Sequence, residues 1–171
     1  MVDEVTNKNF LSPLNFKFIM KRAPHINFFV QNITVPGLSL PTAETPTPLV
    51  SLPFAGEHLS YDNLEISFRV DEDLQNYLEL HNWLRSQGKL EYSEYKTLSE
   101  TPIIIGEGLK SDISVTLLTS NRQANYEFIF RDAFPVSLSS INLTSSAEDI
   151  DYVQASASFR YTYFDISKII R

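Results

Sequence analysis

The side chains with the strongest claim to chemistry in this chain are three histidines and several clustered carboxylates. Their spacing builds neither a metal site nor an acid–base pair. His25, His58 and His81 lie far apart, without the H-x-x-x-H or H-E-x-x-H spacing that puts two imidazoles on one metal. His81 falls on the expected apolar face of a helix and reads as a hydrogen-bonded structural histidine, while His58 follows Gly56-Glu57 at a turn and reads as solvated. Asp71-Glu72-Asp73 and the group Glu148, Asp149 and Asp151 lack the alternating oxygen ligands and mid-loop glycine of a calcium loop. They read as a helix start and a solvated acidic turn. Gly106-Glu107-Gly108 echoes a phosphate-binding turn, but no G-x-x-x-x-G-K-[ST] follows it. Serine is abundant without a G-x-S-x-G elbow. Phe159-Arg160-Tyr161 has the aromatic and basic character that stacks single-stranded bases, yet it fits an ordinary alternating strand. No catalytic, cofactor-binding or metal-ligating set is expected, and the chain is not read as an enzyme.

Composition narrows the classes further. A chain of 171 residues with 43% hydrophobic content is long enough for one domain with a substantial core. Twelve Phe and eight Tyr against one Trp and two Met favour sheet, because rings suit a pleated, half-buried surface. The net charge of −7 argues against general nucleic-acid binding, which draws affinity from clustered Lys and Arg. Lys17, Lys21 and Arg22 form too short a basic run to reverse that. An acidic surface fits a wall that nucleic acid passes without sticking, and equally an ordinary soluble protein. With no Cys, disulfides and thiolate sites are excluded. No apolar run approaches the ~20 residues of a membrane span, and the N-terminus, with Asp3 and Glu4, does not read as a secretory signal. An intracellular or virion protein, with no membrane partner, is the expectation.

The elements that would position these residues begin after a flexible N-terminal arm over 1–13, which leaves 14–171 as a single β domain. Phe16, Phe18 and Met20 alternate as a first strand, Arg22 to His25 with Pro24 form a turn, and Phe28 to Val35 form a second strand. In Leu64, Ile66, Phe68 and Val70 every second residue is apolar, the period of a half-buried strand. At Asp71 the period changes. Leu74, Tyr77, Leu78, His81 and Leu84 follow helical spacing, Asp71 to Asp73 are placed to cap and favour the first turn, and Gly88 stops the helix. Lys89 to Gly108 reads as an excursion. Ile113, Val115 and Leu117 pair as a hairpin with Tyr126, Phe128 and Phe130, and Phe134-Pro135 is expected to break that second strand. Val153 to Tyr163 alternates cleanly as one last strand. The fold class that follows is mainly β and antiparallel, with one α-helix and a long proline-rich loop.

That loop is the candidate functional surface. Five of the nine prolines fall between Pro36 and Pro53, and proline cannot donate to a ladder, so this is no central strand. Leu38, Leu40, Leu49, Val50, Leu52 and Phe54 make it too apolar for a solvated linker. Two readings stand: a loop folded back over its own sheet, or an extended arm over 36–53 that contacts another subunit.

The run Gly56-Glu57-His58-Leu59-Ser60-Tyr61-Asp62, leading through Leu64 to Val70 and Asp71-Glu72 into a helix that contains Trp83, resembles the tail tube proteins of contractile-tailed bacteriophages. Val35-Pro36-Gly37-Leu38 after the second strand and the late strand ending in Phe159 to Phe164 are similar too. The resemblance departs in the N-terminal segment and in the proline-rich loop. It implies an antiparallel β-sandwich or partial barrel with one flanking α-helix, in a structural virion protein that polymerises as stacked, hexameric rings into a tube conducting DNA without specific binding. It also implies sheath, baseplate and neck proteins as partners, the phage tail as location and the host cytoplasm as the place of assembly. Asp71 would mark the helix start and Trp83 the packing that supports the sheet; the 1–13 and 36–53 arms would contact neighbours. A tube initiator on the baseplate or a tail terminator is the alternative within that class, and a monomeric β domain binding a carbohydrate or protein ligand is the alternative outside it.

Overall fold

The computed structural model describes residues 10–88, 108–144 and 152–169. Most of the 1–13 arm, the excursion from Lys89 with its Gly106-Glu107 turn, and the acidic turn over 145–151 lie outside these residues. The chain folds as antiparallel sheet with one long helix. Strands β1 (Phe16–Met20), β8 (Ser111–Leu118), β9 (Ala124–Leu138) and β11 (Tyr163–Lys168) form a back layer. The second half of β9, β10 (Gln154–Arg160), β7 (Leu64–Arg69) and β2 (Val30–Thr34) form a front layer. The layers share β9 and do not close into a barrel.

Alternation explains the core. Leu64, Ile66 and Phe68 of β7 and Ala155, Ala157 and Phe159 of β10 are all buried, and with Phe18, Met20, Ile113, Val115 and Phe130 of the back layer they form one cluster. Helix α2 (Gln75–Gln87) adds Leu80 and Trp83 to it. The Trp83 ring lies 6.0 Å from Phe159, and its indole N–H donates to the Leu109 carbonyl at 2.8 Å. A buried indole therefore keeps its polar edge satisfied while its rings fill the core.

Several elements differ from the sequence expectation, each for a local reason. The second strand starts at Val30, because Ile26–Phe29 form a short helix, α1. Asn27 causes this: its side chain accepts from the Met20 N–H at 2.8 Å and donates to the Met20 carbonyl at 3.3 Å, folding the segment against the end of β1. Phe134-Pro135 does not end its strand. β9 runs through to Leu138, since Pro135 sits where the register with β10 shifts at Ser158/Phe159, a bulge that tolerates a missing N–H. The last strand is two strands. Between Arg160 and Tyr163 the chain leaves the front layer for the back one, and the face changes by one residue: Phe164 packs against Phe128, Phe130 and Tyr161, while Tyr163 stands 43% exposed.

The turn of β9 between layers is built by polar groups. Asp132 has φ 55°, in the left-handed region that short polar side chains tolerate best. Asp112, opposite this bulge, accepts from the Arg131 guanidinium at 2.5 Å and from the Asp132 N–H at 3.1 Å. Thr162 then donates its N–H to the Arg131 carbonyl at 3.0 Å, tying the β10–β11 crossing to the same corner.

The helix start also differs. α2 begins at Gln75, its N-cap is Leu74 in a left-handed conformation with φ 57°, and its first turn holds no acidic residue. Asp71 acts from further back: its carboxylate accepts from the Asn76 N–H, and Asn76 in turn accepts from the Asp71 N–H, both at 3.4 Å. Asn76 also donates to the Arg69 carbonyl at 2.8 Å. This fixes the rotation of α2, so the buried face is Asn76, Leu80 and Trp83. Leu74, Leu78 and His81, expected on the apolar face, are exposed.

Candidate assembly surface

The proline-rich segment is a two-stranded ribbon. Its base is β3 (Leu38–Ser39) paired with β6 (Ser60–Tyr61), and its outer part is β4 (Thr42–Pro46) paired with β5 (Ser51–Ala55). The two ladders meet where the Gly56 N–H donates to the Pro41 carbonyl at 2.7 Å. A Cβ on Gly56 would stand 2.4 Å from that same oxygen, so the close approach needs glycine. At the tip the Thr47 N–H donates to the Val50 carbonyl at 3.1 Å, and the Val50 N–H donates to the Thr47 hydroxyl at 3.2 Å.

Every residue of β4 and β5 is exposed, so the outer ribbon does not tuck over the domain's own sheet. The register puts Ala43 opposite Phe54 and Thr45 opposite Leu52, so these four side chains share one face. Glu44, Ser51 and Pro53 take the other, where the Ser51 hydroxyl donates to Glu44 at 3.0 Å. Of the expected contact residues, Leu38 stands in β3, Leu40 follows it, Leu49 and Val50 form the tip, and Leu52 and Phe54 lie in β5. Leu49 is 95% exposed and Leu52, Phe54 and Val50 about half. Leu59, 54% exposed at the ribbon's foot, belongs to the same surface, as its place beside the Gly56 turn would have suggested.

The foot of the ribbon packs on an aromatic cluster. Tyr61 of β6 stacks edge-on against Tyr161 and Phe164 at 5.9 and 6.0 Å. Tyr161 also donates its hydroxyl to the Asp62 carbonyl at 2.9 Å, and burial, with help from Asp62, pushes its phenol up to about 12. An exposed apolar ribbon is thus held out from an aromatic anchor, an arrangement suited to presenting it to a partner.

The front layer offers a second surface of opposite character. Its inner face is core, and its outer face carries Asn32, Thr34, Glu65, Ser67, Ser137, Ser139, Gln154, Ser156 and Ser158. Rows of them face one another across strands, as Ser156 with Ser67 and Ser158 with both Glu65 and Ser137. The layer has two open edges among the described residues. One is β2; the other is the part of β9 after Ala133, where β8 ends. Among the described residues no group of three or more His, Cys, Asp or Glu is placed to hold a metal ion, and His25 instead lies against Glu79 of α2, its ring 2.5 Å away.

A family model described as phage tail tube protein matches residues 4–167. The search of curated proteins returned no match. Among solved structures, the cap of the anti-feeding prophage, described as its tube-terminating cap, is 13% identical, with a TM-score of 0.67, and covers 98% of this chain and 97% of that one. A chain of the anti-feeding prophage baseplate is 14% identical, with a TM-score of 0.61 and the same coverage. A chain of the PVC sheath–tube complex, from an extracellular contractile injection system, is 12% identical with a TM-score of 0.59, over 95% of this chain and 94% of that one. At these identities the likeness is one of fold.

Proposed function

Because the chain belongs to the phage tail tube protein family, we propose that it is a structural component of a contractile tail, assembling with copies of itself into stacked rings that form a tube. The carrying observation is the front layer, a four-stranded sheet with both edges open among the described residues and one mostly polar outer face. An isolated sheet with two open edges is an aggregation hazard, and joining β2 of one copy to the end of β9 in the next removes both edges by closing a ring. Six copies per ring is the closure proposed. The polar face then lines the lumen, through which DNA passes without specific binding.

In this reading the ribbon residues Leu38, Leu40, Leu49, Val50, Leu52 and Phe54 cover a neighbouring copy, as do residues 1–13. Tail sheath, baseplate and neck proteins are the outer partners, the tail of the virion is the location, and assembly takes place in the host cytoplasm. No catalytic role is assigned. A second reading, a tube-starting or tube-ending component, is favoured by the cap chain, whose TM-score of 0.67 exceeds the 0.59 of the sheath–tube chain. Size-exclusion chromatography and negative-stain imaging of the purified chain at rising concentration test both. Tubes support the tube body, single rings that never stack support the cap, and a persistent monomer overturns both.

A further inference from the structure

The inner face of the back layer is only partly covered by the rest of the domain. Its register sets Phe18, Val115, Phe128 and Ile166 in one row across the four strands. Phe18 and Val115 are buried, Phe128 is half-buried and Ile166 stands 58% exposed. The next row, Phe16, Leu117, Tyr126 and Lys168, contains no buried residue. The face therefore emerges from the core as an open groove of about 640 Å³, lined by Leu117, Tyr126, Phe128 and Ile166, by Phe10 and Leu11 of the N-terminal arm, and by polar residues of the turn between β8 and β9.

A fifth of the chain is charged. None of the residues lining the groove is, and across the ribbon, 38–55, Glu44 is the one charge. Glu44 lies on the ribbon face away from Leu52 and Phe54, held by the Ser51 hydroxyl. Depletion of charge together with aromatic side chains marks the core of a protein–protein interface, because an unpaired charge is costly to take out of water. The charges nearest the groove in the register are Lys168, opposite Tyr126, and Arg122 in the turn, so the one acidic residue of a ribbon meets no like charge there. The ribbon does not fill its own groove, since every residue of β4 and β5 is exposed. Its foot nevertheless starts on the same face: Tyr61 packs on Phe164, whose ring lies 6.3 Å from Phe128 of the groove wall.

We propose that the groove receives the ribbon of a second copy of this chain, with the Leu52 and Phe54 face set against Tyr126, Phe128 and Ile166. The proposal rests on the reading that the ribbon covers a neighbouring copy, and it names the surface that is covered. A ribbon in a groove is a head-to-tail contact. Each copy gives its ribbon to one neighbour and accepts one from another, so the contact repeats through an assembly and is not used up in a pair.

The chain has no Cys, so Thr45→Cys, on the Leu52 and Phe54 face, and Gln123→Cys, exposed in the groove's turn, each give one reactive site in the full chain. Maleimide labelling of Thr45→Cys tests the ribbon. Labelling should be lost on assembly; equal labelling of assembled and dissociated chains overturns the ribbon reading and the proposal with it. Cross-linking tests the groove. Assemblies grown from a mixture of the two variants and treated with a short bis-maleimide should give a two-chain product joined at positions 45 and 123, with Asn121→Cys as the second groove variant. Protection of position 45 without that product from either groove variant keeps the ribbon contact and overturns the groove. Ile166→Asp, at an exposed position, should leave the chain folded and lose the cross-link; an undiminished cross-link overturns the proposed seat. If position 123 is protected already in dissociated chains and freed by deleting residues 1–9, the groove belongs to the chain's own arm and the proposal falls.

Discussion

Tyr161 donates its hydroxyl to the main-chain carbonyl of Asp62 at 2.9 Å, joining the crossing between the two layers to the foot of the ribbon. The same ring packs on Tyr61, Phe130 and Phe164. One residue therefore links the core that holds the sheet together with the element that leaves it. Removing the hydroxyl while keeping the ring isolates that link. Tyr161→Phe should fold normally and lose about 0.5–1.5 kcal/mol, the worth of one hydrogen bond, measured by urea unfolding. Its titration is a second readout. The Tyr161 phenol is raised to about 12, above an unfolded value near 10, so its contribution to stability is full below about pH 10 and lost as pH rises through about 12. Absorbance titration of wild type should show one tyrosine ionising well after an ordinary phenol, and Tyr161→Phe should lack that late step.

How much of this arrangement was legible in the sequence depends on which interactions set it. Leu64, Ile66 and Phe68, and Ala155, Ala157 and Phe159, announced their buried faces because alternation is a local property. Prolines among leucines marked 36–53 as an unusually apolar loop, but not that it pairs as a ribbon or that it stands clear of its own sheet. What stayed hidden depends on particular polar partners that no periodic pattern marks, whether seven residues away or twenty. Asn27 folds back on Met20, Asp112 braces the bulge at Asp132, and Asn76 locks the start of α2 against Arg69. The last shifts the buried helix face from Leu74 and Leu78 to Leu80 and Trp83. Likewise the one-residue change of face between Tyr161 and Phe164 follows from pairing with β9, which no periodicity within the strand can reveal.

Trp83 should be the most sensitive single position in α2. It is 1% exposed, and its N–H donates to the Leu109 carbonyl at 2.8 Å. Trp83→Ala should cost about 3–5 kcal/mol. Trp83→Phe, which keeps most of the ring and leaves the Leu109 carbonyl to the Gln87 amide that donates to it at 3.3 Å, should cost less. Circular dichroism is the right probe, since Trp83 is the chain's one tryptophan and fluorescence would vanish with it.

The contact between His25 and Glu79 gives a pH dependence with a definite sign. Glu79 accepts from the His25 N–H at 3.2 Å and meets its ring at 2.5 Å, and that hydrogen bond, reinforced by the carboxylate's charge and weakly by Asp71, raises the imidazole above its ordinary 6.5. A raised value in the folded state means that the added stability is full below about pH 6.5 and lost as pH rises through the folded value. Melting temperature followed from pH 5 to 9 should fall across that window in wild type, and the fall should flatten in Glu79→Gln. An unchanged slope in that variant would assign the dependence to other groups.

The ribbon can be removed cleanly, because the Gly56 N–H already donates to the Pro41 carbonyl at 2.7 Å and the two ends lie side by side. Deleting Thr42 to Ala55 through a short Gly-Ser joint removes only exposed residues. Stability should therefore change by less than about 1 kcal/mol, while stacking or ring formation is lost. A milder pair of substitutions, Leu52→Ser with Phe54→Ser, strips one apolar face and should weaken assembly in the same direction. Tubes of normal length from the deletion would show that the ribbon covers nothing in a neighbour.

Gly56→Ala separates ribbon position from ribbon chemistry. The added methyl carbon would lie 2.4 Å from the Pro41 carbonyl oxygen and 3.2 Å from its carbon, both main-chain atoms that cannot swing aside. The chain must open at this point, losing the bond between the Gly56 N–H and Pro41 and re-aiming the outer ribbon relative to its aromatic foot. Gly56 is half-buried and Pro41 exposed, neither in the buried core, so the cooperative unfolding transition should move by no more than about 1–2 kcal/mol. Assembly responds to direction as well as to apolar area, because a contact on a closed ring must meet its partner at a fixed angle. Sedimentation velocity should therefore show a folded chain whose assembly is impaired although every apolar side chain of the ribbon is present. If Gly56→Ala instead assembles like wild type while Leu52→Ser with Phe54→Ser does not, the ribbon acts as a flexible adhesive tether and its aromatic foot is not what orients the contact.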